Sequence, residues 1–156
     1  MLLRIVRGLT SDEVLDKIRE FEKETKMSFE EFQEHFLIQR LDARLTRMYF
    51  EWAELVNAYK GYLEEGQVDY TVEEIKEFTP EQTAMLTQRR MELLCQLASM
   101  RVESINELAK KVRRNVKNVH QDLNVLKRFG FVRLSRRRGK ALTPETLVKE
   151  ITFIIR

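Results

Sequence analysis

Between Ser104 and Lys140 the chain carries twelve lysines and arginines against two acids, Glu107 and Asp122, and inside that stretch a set of amides and bases recurs at helical spacing. Lys117, Asn118, His120, Gln121, Asn124 and Arg128 fall opposite Val116, Val119, Leu123 and Leu126, which repeat at 3-4-3 spacing as the packed side of one helix. A carboxamide presents a donor beside an acceptor, so Asn118 and Gln121 can each pair bidentately with adenine, and Arg114 or Lys117 can do the same with guanine. A merely solvated helix face would be filled largely with Glu/Lys pairs. Amides, a histidine and bases fit base edges and phosphates instead. The N-terminal end of such a helix goes deepest into a major groove, which makes Asn115, Lys117, Asn118 and Gln121 the candidates for base contact. His120, Asn124 and Arg128 are candidates for the backbone. A phosphate would repel Asp122, so this acid is expected to orient a nearby arginine, Arg114 or one from the segment that follows.

The elements that must position these groups can be read from caps and periodicity. Thr87 caps a helix with Leu93, Leu94 and Leu97 inward, and Ser104 with Glu107 forms a capping box that starts a second helix near 105, with Ile105, Leu108, Ala109 and Val112 inward. A turn at Arg113, Arg114 and Asn115 leads into the third helix, which Phe129 completes and Gly130 ends in the left-handed C′ position. Phe131 to Arg136 then alternates as a half-buried strand does. Arg136, Arg137, Arg138 and Lys140 mark a basic hairpin tip, suited to a minor groove that attracts arginine. The strand at Glu150 to Ile155 is expected to return as the hairpin's partner, with a turn or short helix at Thr143 and Pro144.

The first half has the opposite character. Met1 to Gln82 holds 11 basic and 19 acidic residues, whereas Thr83 to Arg156 holds 17 basic and 6 acidic, so a polyanion should meet the second half and avoid the first. Capping boxes at Thr10/Glu13 and Ser28/Glu31 place helix starts near 11 and 29, and Thr79 with Pro80 starts another inside 72–87, a junction between two modules. A long helix between them carries Leu45, Met48, Trp52, Leu55, Tyr59 and Tyr62, widened by Tyr49, Val56 and Leu63. Such a stripe must be buried, either under Val14, Leu15, Ile18, Phe21, Phe29, Phe32 and Phe36 of the same chain or at a dimer seam. A mixture is expected, with Leu45, Met48, Tyr49, Trp52, Leu55, Val56, Tyr59 and Tyr62 as dimerisation residues, because two copies place two reading helices on half-sites about 34 Å apart.

Composition narrows the remaining classes. No apolar run approaches the roughly 20 residues of a membrane span, and MLLRIVRGLT is too short and too soon charged for a secretory signal, so a cytoplasmic protein without a membrane partner is expected. Cys95, the one cysteine, is expected to be buried among Leu93, Leu94 and Leu97, and two histidines, His35 and His120, do not make a metal site. There is no Gly-rich phosphate loop, G-x-S-x-G, H-E-x-x-H or Cys-His pair, so neither catalysis nor a cofactor is expected. The expected class is mainly α: a helical region over 1–78 for dimerisation or partner binding, then a winged helix-turn-helix domain over 79–156 with a C-terminal β-hairpin wing.

LTQRRMELL at Leu86 to Leu94 and SINELAKKVRRNVKNVHQDLNVLKRFGFV at Ser104 to Val132 resemble the MarR-like winged helix-turn-helix of archaeal predicted transcriptional regulators. The most telling pieces are Thr87 and Arg90, S-I-x-E-L-A at Ser104 to Ala109, and K-N-V-x-x-D-L at Lys117 to Leu123. The resemblance implies a DNA-binding regulator that reads with Val116 to Phe129 and uses the hairpin as a wing. Arg113 departs from it, standing where such turns prefer glycine, which implies a less sharp turn. MSFEEFQEHF at Met27 to Phe36 and YFEWAELV at Tyr49 to Val56 faintly resemble archaeal antitoxin-type helical proteins. The expected function is sequence-specific transcriptional regulation on double-stranded DNA, with a homodimer as the expected assembly. The alternatives are a partner-binding regulator such as an antitoxin, holding a protein on its helical half, or a general chromatin protein.

Overall fold

A computed structural model describes residues 1–39, 42–136, 139 and 141–156. The order is β1 (Leu2–Gly8), α1 (Ser11–Thr25), α2 (Phe29–Ile38), α3 (Ala43–Glu65), β2 (Thr71–Glu77), α4 (Pro80–Met85), α5 (Gln88–Ala98), α6 (Ile105–Val112), α7 (Val116–Arg128), β3 (Val132–Arg136), β4 (Leu142–Thr146) and β5 (Val148–Ile154). The expected mainly α class does not hold. With 57% of the described residues in helices and 21% in strands, the latter in two antiparallel sheets, the chain is mixed α/β, and the mainly α winged helix-turn-helix architecture expected from the sequence is not clearly defined in it. One sheet has the order β2-β1-β5 and the other is the pair β3-β4.

Two compact units result, Gly8–Val72 and the joined segments Met1–Arg7 and Glu73–Arg156. The first residues, placed with the acidic half by their charge neighbourhood, therefore belong with the basic one, because β1 pairs with β5 from Leu2↔Ile154 to Arg7↔Val148. Leu3, Ile5 and Arg7 point inward from β1. The first two join a core with Phe78, Leu93, Leu108, Leu123, Leu126 and Phe131. Arg7, only 9% exposed, satisfies its guanidinium on Glu74 of β2 at 3.2 and 3.4 Å.

Glu74 also bonds Lys76. Burial would raise its carboxyl, but hydrogen bonds from Lys76 and Arg7 and the charges of both outweigh that and hold it below the usual glutamate range. A depressed folded pKa stabilises above the unfolded value, and the contribution is lost as pH falls through the folded one. The urea midpoint of the wild type should therefore exceed that of Glu74→Gln at pH 7, and the gap should close below about pH 4. A gap that is the same at both pH values would refute the linkage.

The β3–β4 hairpin differs from the expected one. β3 pairs with Leu142–Thr146, from Val132↔Thr146 to Arg136↔Leu142, and not with the final stretch. Thr143 and Pro144 thus lie in a strand; proline is tolerated because among the described residues β4 is paired on one edge, with β3, so a missing N–H can face away from the ladder. Thr143 is buried and donates its hydroxyl to the Glu103 carbonyl at 2.8 Å. Leu147 and Val148 then donate to the Phe131 carbonyl, turning the chain into β5.

The Gly8–Val72 unit packs α1 and α2 on α3. Both capping boxes stand, Thr10 with Glu13 and Ser28 with Glu31, and Asp42 caps α3. Trp52 lies fully buried with Phe21, Phe29 and Phe32 at centroid distances of 5.4–5.5 Å. Met48 and Leu55 are buried with it, while Leu45, Tyr49, Val56 and Tyr59 pack around them and Tyr62 is half-buried. The centre of the supposed dimer stripe is thus an intrachain core, covered by the aromatic faces of α1 and α2.

Candidate nucleic-acid interface

Helix α7 is positioned from both ends. At its start the Asn115 side chain accepts the N–H of Lys117 at 2.8 Å, and at its end Gly130 adopts φ 77°. Phe131 N–H reaches the Leu126 carbonyl and Gly130 N–H the Lys127 carbonyl, a Schellman closure whose apolar pair, Leu126 and Phe131, is fully buried. The inner face buries Val119, Leu123 and Leu126. Val116, expected there, is 43% exposed because it begins the helix, and Val125 is buried in addition.

Lys117, Asn118, His120, Gln121, Asn124 and Arg128 are all exposed, and no hydrogen bond or ion pair among the described residues engages their side chains. Arg136, at the end of β3, is exposed as well. Two other candidates are already engaged. Asn115 spends its side-chain oxygen on the cap, which leaves only its amide nitrogen to donate and no bidentate pair for a base, and Arg114, part-buried, pairs with Asp122 at 2.6 Å. Arg137, Arg138 and Lys140 lie outside the described residues.

Asp122 has the role expected of it, and more. Its second oxygen takes Arg90 of α5 at 2.9 Å, while Arg90 also donates to the Met85 carbonyl at 2.8 Å. The three side chains are 13–19% exposed. One carboxylate thereby joins α5, the turn before α7 and α7 itself. Arg90 is the residue that the chemistry of the reading face could not reveal; its signal was its place, with Thr87, in the most telling part of the resemblance.

The turn preceding α7 is sharper than Arg113 implied. Arg113 takes φ 56° and ψ 48°, with Arg114 N–H to the Ala109 carbonyl and Arg113 N–H to the Lys110 carbonyl. This is the closure glycine makes at Gly130, formed here by a residue with a side chain at a cost of roughly 1–2 kcal/mol. Ser104 caps α6, but the Glu107 carboxylate takes the N–H of Glu103 at 2.7 Å, so the expected capping box is only half formed. That bond, then Lys111, holds Glu107 below the usual glutamate range.

Cys95 is exposed, not buried. Leu93, Leu94 and Leu97 already fill the inward side of α5, and residue 95 falls outside that arc, lining an apolar groove of about 330 Å³ with Leu94, Val148, Ile151 and Phe153. In the Gly8–Val72 unit an open groove of about 550 Å³ is lined by Glu54, Glu65, Asp69 and Tyr70. Burial, then the charges of Glu51 and Glu54, raises the Tyr70 phenol above its ordinary value.

No helix among the described residues is long and apolar enough to cross a membrane. No curated protein matches the chain, and no solved structure does. Residues 85–153, from the end of α4 almost to the end of β5, match the protein family described as HVO_A0114, to which this stretch is similar.

Proposed function

We propose that the chain is a cytoplasmic, sequence-specific DNA-binding regulator that lays α7 in the major groove with the β3–β4 hairpin beside it. The observation that carries this reading is the division of α7: one face is closed in the core, and the other holds six exposed amides and bases that no described residue engages, with no acid among them. Asp122, the one acid of the helix, is neutralised by two arginines, which removes the group a phosphate would oppose. The resemblance of Ser104 to Val132 to MarR-like regulators supports the same reading.

The test is anisotropy titration of labelled duplexes, random and from upstream of the chain's own gene, at several salt concentrations, with light scattering to count the copies bound. A log-log salt slope of about −4 or steeper is expected, with the specific duplex preferred by on the order of a thousandfold. No binding of either duplex at moderate salt would sink the proposal. Asn118→Ala and Gln121→Ala should each cost about 1–3 kcal/mol on the preferred sequence and relax specificity there. Equal losses on specific and random duplexes would contradict their assignment to base edges.

A further inference from the structure

We infer that Arg113 is a phosphate-contacting residue at the corner between α6 and α7, an assignment that rests on the DNA-binding reading of α7. Two facts about this position pull in opposite directions. Its backbone is left-handed, φ 56° and ψ 48°, and closes α6 through the bonds that Gly130 makes at the end of α7. Glycine takes that conformation without steric penalty and is the common residue there. The arginine side chain returns nothing to the fold that the described residues show: it is exposed and engages no carboxylate. Its neighbour Arg114 points the other way, spent on Asp122.

The corner holds this charge two residues before the cap of α7, whose first turn carries the exposed Lys117. That is the end of the helix expected to enter the groove, and the turn ahead of it passes the backbone. A guanidinium offers five donors in a fork that matches phosphate oxygens, and its position is fixed by the Schellman closure beneath it. Lys26 shares such a backbone, so strain alone names no ligand; what sets Arg113 apart is its place on a basic surface beside the start of α7, where the ligand for an unengaged guanidinium is a phosphate.

A structural role makes a different forecast. A base near a helix C-terminus interacts favourably with the helix dipole, and Lys26, with φ 57° at the end of α1, is the internal control. Arg113→Gly should raise the melting temperature by a few degrees, yet weaken specific and random duplexes by the same factor, about three- to tenfold. It should also make the salt slope shallower by about 0.9, one phosphate's worth. Arg113→Lys should restore the slope. Lys26→Gly should give a similar melting shift with DNA affinity unchanged. Arg113→Gly with the wild-type slope and affinity, in a protein whose Asn118→Ala variant does lose affinity, overturns the inference and leaves the DNA-binding reading standing. A wild type that binds no duplex overturns both.

Discussion

Trp52→Ala is expected to destabilise the Gly8–Val72 unit by about 3–5 kcal/mol, enough to leave it largely unfolded. The ring is fully buried and sits at the meeting point of Phe21, Phe29 and Phe32, so its removal opens a cavity that three other aromatic rings would have to collapse into. Rings of that size relax only partly, and the uncollapsed volume adds to the lost transfer free energy. Trp52→Phe separates the two contributions. The indole Nε1 is buried and finds no acceptor among the described residues, so phenylalanine loses volume but also removes a desolvated donor worth roughly 1–3 kcal/mol. The phenylalanine variant should therefore fall within about 2 kcal/mol of wild type. Urea unfolding followed by far-UV circular dichroism reads both; a Trp52→Phe loss as large as that of Trp52→Ala would show that the ring's shape, not its bulk, holds the cluster.

Asp122→Ala is expected to cost the other unit about 2–4 kcal/mol. Removing the carboxylate leaves Arg90 and Arg114 as two part-buried guanidiniums facing each other, a like-charge pair where there had been a bridge. A fully buried triad would lose more; the 13–19% exposure of these side chains lets water screen part of the repulsion. Asp122→Asn keeps the shape and an acceptor, and should lose less than alanine does. The loss should shrink at 1 M salt, where the Debye length falls to about 3 Å. A change below about 0.5 kcal/mol would mean that the three side chains behave as surface pairs do. Because α7 is fastened to α5 through this carboxylate, the DNA-binding proposal has Asp122→Ala also weakening duplex binding, although Asp122 itself would not touch DNA.

Much of the basic half was legible in the sequence, and for a physical reason. Helices announce themselves locally: Thr10, Ser28, Thr79, Thr87 and Ser104 cap where their spacing to the following residues says they should. The inward faces of α5 to α7 follow from a 3.6-residue period. Strand partners are set by contacts far along the chain. The alternation of β1 is broken in the sequence by Arg7, whose inward position makes sense only beside Glu74, 67 residues on. β2, with Glu73, Glu74 and Glu77, has an edge strand's polar surface and no apolar rhythm. Pro144 disguised β4, and β5, which did read as a strand, was assigned to the wrong neighbour.

In the candidate site the exposed face of α7 was legible because its residue types are unusual for solvent. What could not be read was which donors the fold would consume for itself. Asn115 and Arg114 have the same chemistry as Asn118 and Lys117, but a cap and a carboxylate claim them first.

β1 and β2 are adjacent strands, yet the link between them is the whole Gly8–Val72 unit, whose neck is closed by the Leu9 N–H on the Tyr70 carbonyl at 3.0 Å. β1 also needs β5, at Val148–Ile154, for its other edge. A growing polypeptide therefore completes its insert of local, fast-forming helical contacts while β1 still waits for a partner nearly the length of the chain away, and non-local strand pairing of this kind is intrinsically slow. The order of emergence follows the order of charge: the nascent chain presents its anion-repelling half first, and the surface that would grip a polyanion is assembled last.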